Sequence, residues 1–128
     1  MNPQFILAVA AGGAIGSVAR YLVGITAGKL FGMAFPWGTL IINITGSFLI
    51  GLFVALFATK WDLPQVARIF LTVGICGGYT TFSTFSLDTW YLIERNQVMA
   101  SAAYMIASVV LSVGALIGAL QIVRAFPN

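Results

Sequence analysis

The sequence predicts an all-α membrane protein that forms a single domain over residues 1–128, with four transmembrane helices. Two observations support this prediction. Hydrophobic residues make up 60% of the chain and charged residues only 7%, whereas a soluble domain is typically about 25% charged. The sparse charges also leave four apolar stretches, and a helix needs roughly 20 mostly apolar residues to cross a bilayer. A chain with so few polar side chains is expected to lie in a membrane.

The predicted helices extend over about residues 4–28, 36–59, 68–94 and 98–124, and short turns join them. Pro36 suits the first turn of the second helix, because an amide there has no intrahelical partner. Near the N-terminus, Ala8-Val9-Ala10 resembles a signal-peptide cleavage site, but no Lys or Arg precedes it. We therefore expect Met1 to begin the mature protein.

The first helix contains Arg20 and closely spaced glycines. Gly12 and Gly16 are four residues apart, a spacing that favours close contact between helices. A charged side chain at the bilayer centre costs about 2.5–3.5 kcal/mol on insertion scales, so an intramembrane arginine is a functional candidate. Since the first helix holds no acid, Arg20 predicts a vestibule that attracts anions. Snorkelling of its head group to the interface is the alternative.

The second helix carries no charge but contains Asn43 near its middle, one turn after Thr39. The amide of Asn43 has two N–H donors, which could bind an anion. An interhelical hydrogen bond would explain the same residue equally well. The sequence leaves these two interpretations open.

The third helix is predicted to break near Gly77-Gly78. Glycine in a helix interior costs about 1 kcal/mol relative to alanine, and unwound backbone at membrane depth needs protein or a water-filled cavity around it. Its freed carbonyls could bind a cation. Beyond the break, Phe82 and Phe85 share one helix face because they are three residues apart. Their ring edges carry partial positive charge and could touch a small anion; ordinary packing is the alternative.

The fourth helix carries a stripe of polar residues at four-residue spacing, Tyr104, Ser108 and Ser112. Serines in membrane helices often bond the carbonyl four residues earlier. Three polar residues aligned on one face nevertheless favour the interpretation that this helix lines a polar pathway.

The basic residues are balanced between the two predicted ends of the bundle. One end has Lys60, Arg68 and Arg124, and the other has Arg20, Lys29 and Arg95. Orientation in the membrane follows the Lys/Arg bias of short loops, and this chain has almost none. The balance predicts insertion in both orientations and therefore an antiparallel, dual-topology homodimer. A single orientation set by another feature is the alternative.

Several classes of function are excluded by composition. The chain has no His and one Cys, Cys76, which excludes an intrachain disulfide framework and a Cys/His zinc cluster. Without His or an activated Cys, an enzyme using a nucleophile and base is not expected. The basic residues are scattered, so no nucleic-acid-binding patch is predicted.

The segment Gly77-Gly78-Tyr79-Thr80-Thr81-Phe82-Ser83-Thr84-Phe85-Ser86 resembles the Fluc (CrcB) family of fluoride channels, whose pattern is close to G-G-x-T-T-F-S-T-F-S. The resemblance covers the whole chain. It includes the glycine-rich segment that ends at Arg20, and Pro36-Trp37-Gly38-Thr39-Leu40 followed by Asn43 and Gly46.

The resemblance implies an antiparallel homodimer in the bacterial inner membrane, with two pores that passively export fluoride. A central structural sodium ion would be held by the backbone carbonyls of Gly77 and Thr80 from each subunit. Arg20 and Thr39 would belong to the vestibule. Asp88 departs from the family, in which glutamate is frequent. The implied pore residues are Asn43, Phe82, Phe85, Tyr104, Ser108 and Ser112.

Two other functions fit a small four-helix membrane protein. A proton-coupled multidrug antiporter needs a membrane-embedded carboxylate, and the first predicted helix, where such carriers place theirs, contains none. A structural subunit of a larger membrane complex would not need an arginine, a broken helix and aligned hydroxyls together. A fluoride channel is therefore the leading hypothesis.

Overall fold

The computed structural model describes residues 1–126 and is helical throughout, apart from the turns and short links between helices. The last two residues of the predicted 1–128 domain lie outside this described part. We label the helices α1 (Pro3–Phe31), α2 (Trp37–Thr59), α3 (residues 65–79), α4 (Phe82–Glu94) and α5 (Val98–Ala125). Within α3, the α-helix Gln65–Ile69 continues as a π-helix, Phe70–Cys76, and ends in the helical turn Gly77–Tyr79.

Three of these helices, α1, α2 and α5, are long and apolar enough to cross a membrane. The chain is therefore a multi-pass membrane protein. The stretch that the sequence predicted as a third spanning helix, at about 68–94, is occupied by α3 and α4 together.

The interruption between α3 and α4 does not lie at the glycine pair. Gly77 and Gly78 are both helical, whereas Thr80 (φ −80°, ψ 159°) and Thr81 (φ −152°, ψ 120°) are extended. The predicted position near Gly77-Gly78 is thus two to three residues too early. The physical reason is that contacts from other helices, rather than the intrinsic cost of glycine, replace the helical hydrogen bonds at Thr81.

Helix α1 packs directly against α3 through glycines. A Cβ added at Gly16 would lie 2.2 Å from the carbonyl oxygen of Ile75, and one at Gly12 would lie 2.6 Å from that of Phe70. The spacing of these glycines therefore serves close helix packing within the chain, as lipid provides no hydrophobic force to hold helices together.

The remaining core lies between α2, α4 and α5. Leu40, Leu92 and Tyr104 form its buried centre, and the rings of Phe35 and Phe85 pack against it. This cluster fixes α4 to α5 immediately after the interruption, and so places the residues discussed next.

Candidate functional site

An open cavity of about 320 Å³ lies beside the interruption between α3 and α4. It brings together residues from three parts of the sequence that were predicted separately. Those of its lining residues that the sequence had identified are Asn43, Gly77, Thr80, Phe82, Phe85, Ser108 and Ser112.

Asn43 holds the extended backbone at Thr81 with both polar atoms of its side chain. The Thr81 amide donates to Asn43 Oδ1 at 2.9 Å, and Asn43 Nδ2 donates to the Thr81 carbonyl at 3.0 Å. Asn43 thus makes the interhelical hydrogen bonds that the sequence allowed as one interpretation. Since the amide nitrogen has two N–H groups, one donor remains for a ligand in the cavity that Asn43 lines.

The same contacts release two backbone carbonyls. In a continuous helix, the Thr81 amide would bond the Gly77 carbonyl and the Thr84 amide would bond that of Thr80. Instead, the Thr81 amide bonds Asn43, and the Thr84 amide donates to Thr81 Oγ1 at 3.1 Å. Gly77 and Thr80 both line the cavity, so their carbonyl oxygens lose the helical donors that would otherwise occupy them.

This oxygen set fits a hard monovalent cation better than a transition metal. Backbone carbonyls are hard oxygen ligands, and calcium normally recruits carboxylates as well. Within residues 1–126, no group of three or more His, Cys, Asp or Glu side chains is arranged to hold a metal. The carbonyls of Gly77 and Thr80 are therefore compatible with sodium.

The two phenylalanines of α4 differ in their surroundings. Their ring centroids are 5.5 Å apart. Phe82 is 78% exposed, whereas the Phe85 ring lies 5.2 Å from that of Tyr104. Phe85 is therefore held by the core, and the Phe82 ring is largely free of contacts within the chain.

The polar stripe of α5 divides between the cavity and the core. Ser108 and Ser112 line the cavity, and the buried Ser112 Oγ has no hydrogen-bond partner among the described residues. Tyr104 is fully buried and is not among the residues that line the cavity; its hydroxyl donates to Asp88 Oδ2 at 3.1 Å. The long tyrosine side chain reaches α4 behind Phe85, whereas the short serines stop at the cavity wall.

A larger open cavity of about 720 Å³ adjoins the first one, and Thr81 lines both. Its charged lining residues are Arg20, Lys29, Arg95 and Asp88, and Thr39 also belongs to its wall. Three cations and one acid give this cavity a net positive charge, which raises the local concentration of anions.

Comparison with known proteins identifies the family. The model of "CrcB-like protein, Camphor Resistance (CrcB)" matches residues 7–120. The chain belongs to the CrcB family. It is 77% identical to the "Fluoride-specific ion channel FluC 1" of Nitrobacter hamburgensis, over 97% of this chain and 98% of that protein.

Other CrcB relatives carry similar names. The "Fluoride-specific ion channel FluC" of Nitrobacter winogradskyi is 76% identical over 97% of this chain and 98% of its own length. That of Rhodospirillum centenum is 50% identical over 94% of this chain and 96% of its own length. The family resemblance predicted from the glycine-rich and phenylalanine-rich segment is thus confirmed.

Sequence reasoning missed Thr81 and Gly78 as site residues of this CrcB chain. Thr81 is the N-cap of α4, and its hydroxyl accepts the Thr84 amide; the preference of Thr for N-caps could have indicated that a helix begins at Phe82. The carbonyl of Gly78 accepts a hydrogen bond from Arg20 Nε at 3.2 Å. A contact between residues so far apart in sequence leaves no local signal.

Proposed function

We propose that this chain is a fluoride-selective channel that lets fluoride leave the cell passively and so limits its toxicity. The single observation that carries the proposal is the cavity beside the interruption, whose wall combines the Phe82–Phe85 pair with two serines and Asn43. The names of its CrcB relatives agree with it. The protein is a channel and not an enzyme.

The larger cavity, which we call the vestibule, is positively charged and would collect anions first. Arg20, Lys29 and Arg95 attract them from solution. At Thr81 the vestibule meets the smaller cavity, where a small anion would exchange water for protein donors. This order of sites would give fluoride a path on which protein donors replace part of its hydration shell.

Inside the smaller cavity, the available donors are the second N–H of Asn43 and the hydroxyls of Ser108 and Ser112. The unpartnered Ser112 hydroxyl is costly to leave buried, and an anion would satisfy it. The exposed edge of Phe82 adds a weaker contact through its partial positive charge. Hydrogen-bond donors of this kind favour fluoride among the halides, because the smallest halide has the highest charge density and accepts the strongest hydrogen bonds.

The proposal includes an antiparallel homodimer with one pore on each side of its two-fold axis. Gly77 and Phe82 are exposed in the single chain, and the carbonyls of Gly77 and Thr80 from one chain are too few to enclose a hard cation. A second copy would contribute the same pair, so that the Gly77 and Thr80 carbonyls of both copies surround one sodium ion. The ion would supply positive charge that offsets the four carbonyl dipoles.

Flux from liposomes tests the function. Purified protein in vesicles loaded with potassium fluoride should release fluoride only when a potassium ionophore balances the charge, and vesicles loaded with chloride should release little. Proton-coupled exchange of a cationic dye would instead favour the antiporter. Absence of any ion or dye flux from monodisperse protein would favour a structural subunit.

The sodium site is tested by replacing sodium with a bulky organic cation in every buffer. We expect fluoride flux to fall after exhaustive replacement and to return when sodium is restored. Thr80→Ser should preserve the response, because the ligand is a backbone carbonyl. Gly77→Pro should abolish it, since proline fixes φ and clashes with the preceding turn. Full flux without sodium would remove the ion from the proposal.

A further inference from the structure

Arg20 reaches across from α1 to the backbone at the end of α3. Its Nε donates to the Gly78 carbonyl at 3.2 Å, and Ser17 Oγ lies 3.5 Å from the same oxygen. In a continuous helix this carbonyl would accept from the amide of Phe82. Here α4 begins at Phe82, after the extended residues Thr80 and Thr81. The arginine thus occupies a carbonyl that the interruption leaves without its ordinary partner.

We propose that Arg20 is a positioning residue that holds the end of α3, in addition to contributing to the positive charge of the vestibule. It bonds Gly78 from α1, while Asn43 bonds Thr81 from α2. The hydrogen bonds at Gly78 and Thr81 anchor the backbone on either side of Thr80. Gly77 immediately precedes Gly78. The directions of both free carbonyls therefore depend on the two anchors. This inference deepens the proposed function and rests on it where ion flux is concerned.

The packing of α1 brings the guanidinium to this place. Gly16 lies one turn before Arg20, and a Cβ there would be 2.2 Å from the Ile75 carbonyl oxygen and 2.8 Å from the Tyr79 amide nitrogen. A Cβ added at Gly78 would be 2.6 Å from the Gly13 carbonyl oxygen. The two backbones are thus nearly in contact, and Arg20 has a fixed starting point for its bond.

Arginine suits this double role because its donors point in several directions. Nε bonds Gly78, which leaves the N–H groups of both terminal nitrogens for the vestibule that Arg20 lines. A lysine has the same charge concentrated in one ammonium group and cannot reproduce the planar geometry. If Arg20 acted through its charge alone, Arg20→Lys would behave like the wild-type protein. If the bond to Gly78 matters, Arg20→Lys would not hold the end of α3.

Hydrogen exchange of the backbone amides tests the bond between Arg20 and the Gly78 carbonyl directly, and the measurement does not depend on ion flux. Arg20→Lys should increase exchange of the amides in residues 78–84 by about tenfold or more, because bonds to charged groups are the stronger class and local opening sets the exchange rate. The matched control is Lys29→Gln, which removes a charge from the wall of the same cavity. It should leave exchange in this segment at the wild-type level.

Chemical rescue separates geometry from charge in the flux assay. Arg20→Ala should lose most fluoride flux, and added methylguanidinium should restore a part of it, whereas tetramethylammonium at equal concentration should not. Lys29→Gln should weaken flux mainly at low salt, as expected for a charge that only steers anions. If both cations restore flux equally, Arg20 contributes charge alone.

The two readouts distinguish this inference from the proposed function. If the wild-type protein carries no fluoride, the proposed channel function is wrong. Faster amide exchange in Arg20→Lys would still support the positioning role of Arg20. Wild-type exchange in folded Arg20→Lys would overturn the anchor while leaving the channel intact. If Arg20→Ala does not yield folded protein, Arg20→Lys and its exchange pattern decide the question.

Discussion

Phe82 and Phe85 are held differently by the rest of the chain, and this separates the expected effects of replacing them. Phe82→Ile removes an exposed ring edge and should reduce fluoride flux with little change in stability, because the ring is 78% exposed. Phe85→Ile should reduce flux and also cost about 0.5–1.5 kcal/mol from the lost pairing with Tyr104. Flux from liposomes and thermal unfolding measure the two effects.

Phe53→Ile is the matched control for these variants. Phe53 stacks on Phe57, with ring centroids 6.0 Å apart, and does not line either cavity described above. Its replacement should leave fluoride flux unchanged. Wild-type flux through both Phe82→Ile and Phe85→Ile would contradict their assignment to the pore.

Asn43 offers a second test at the level of one residue. Asn43→Asp replaces the N–H donor to the Thr81 carbonyl with an acceptor, which repels both that carbonyl and a passing anion. In Asn43→Ser the shorter side chain no longer reaches the Thr81 backbone, but it introduces no such repulsion. We expect the aspartate variant to lose more flux than the serine variant, and the serine variant to be destabilised by about 1–3 kcal/mol. Equal flux through the two variants would limit Asn43 to packing.

At the level of the elements, the close packing of α1 on α3 leaves no room for a single added methyl group at Gly16. Gly16→Ala would place a Cβ 2.2 Å from the Ile75 carbonyl oxygen, and backbone atoms cannot move aside easily. Forcing extra volume into packed protein typically costs about 1–3 kcal/mol. We therefore expect a lower unfolding temperature and, because α1 carries Arg20, faster exchange at the end of α3.

Gly13→Ala is the control within the same helix, because a Cβ at Gly13 would meet no atom of the chain within 4 Å. Its effect within one chain should be neutral or stabilising by up to about 1 kcal/mol, the helix preference of alanine over glycine. Equal destabilisation by both variants would mean that the contact with α3 is not what makes Gly16 sensitive.

The elements also explain which parts of the structure the sequence could predict. Apolar length and sparse charge are properties of each segment alone, so the helices α1, α2 and α5 could be predicted directly. The interruption at Thr80 and Thr81 is held by Asn43, a residue of another helix. The glycine pair gave only a local cost of about 1 kcal/mol per residue, which the surrounding packing outweighs.

The candidate site was predictable to a similar extent. Regular spacing was enough to place Ser108 and Ser112 on one face, and both line the cavity with Phe82 and Phe85. Spacing did not reveal that Tyr104 turns its hydroxyl to Asp88, because that depends on the partner helix and on side-chain length. The contacts of Asn43 and Arg20 that fix the interruption are tertiary and leave little periodic signal.

At the scale of the whole molecule, the balanced basic residues predict insertion in both orientations. Arg20, Lys29 and Arg95 line one cavity and so lie toward one end of the bundle. At the other end, Lys60 donates a hydrogen bond to the Phe126 carbonyl near the end of α5, which carries Arg124, and Arg68 donates to the Leu63 carbonyl in the link before α3. Neither end therefore has the excess of Lys and Arg that normally keeps a short loop in the cytoplasm.

Cysteine labelling of the termini in intact cells should find each terminus on both sides of the membrane. Two lysines added to the N-terminus should bias insertion toward one orientation, deplete antiparallel dimers and lower fluoride flux per protein molecule. Two glutamines added at the same place are the control and should change none of these, because uncharged residues do not direct topology.

Co-expression with a variant biased in the opposite direction, by two lysines added to the loop before α2, should restore flux, since the two chains then supply one orientation each. Every wild-type terminus on a single side, together with normal flux, would exclude the antiparallel dimer, because all copies would then share one orientation.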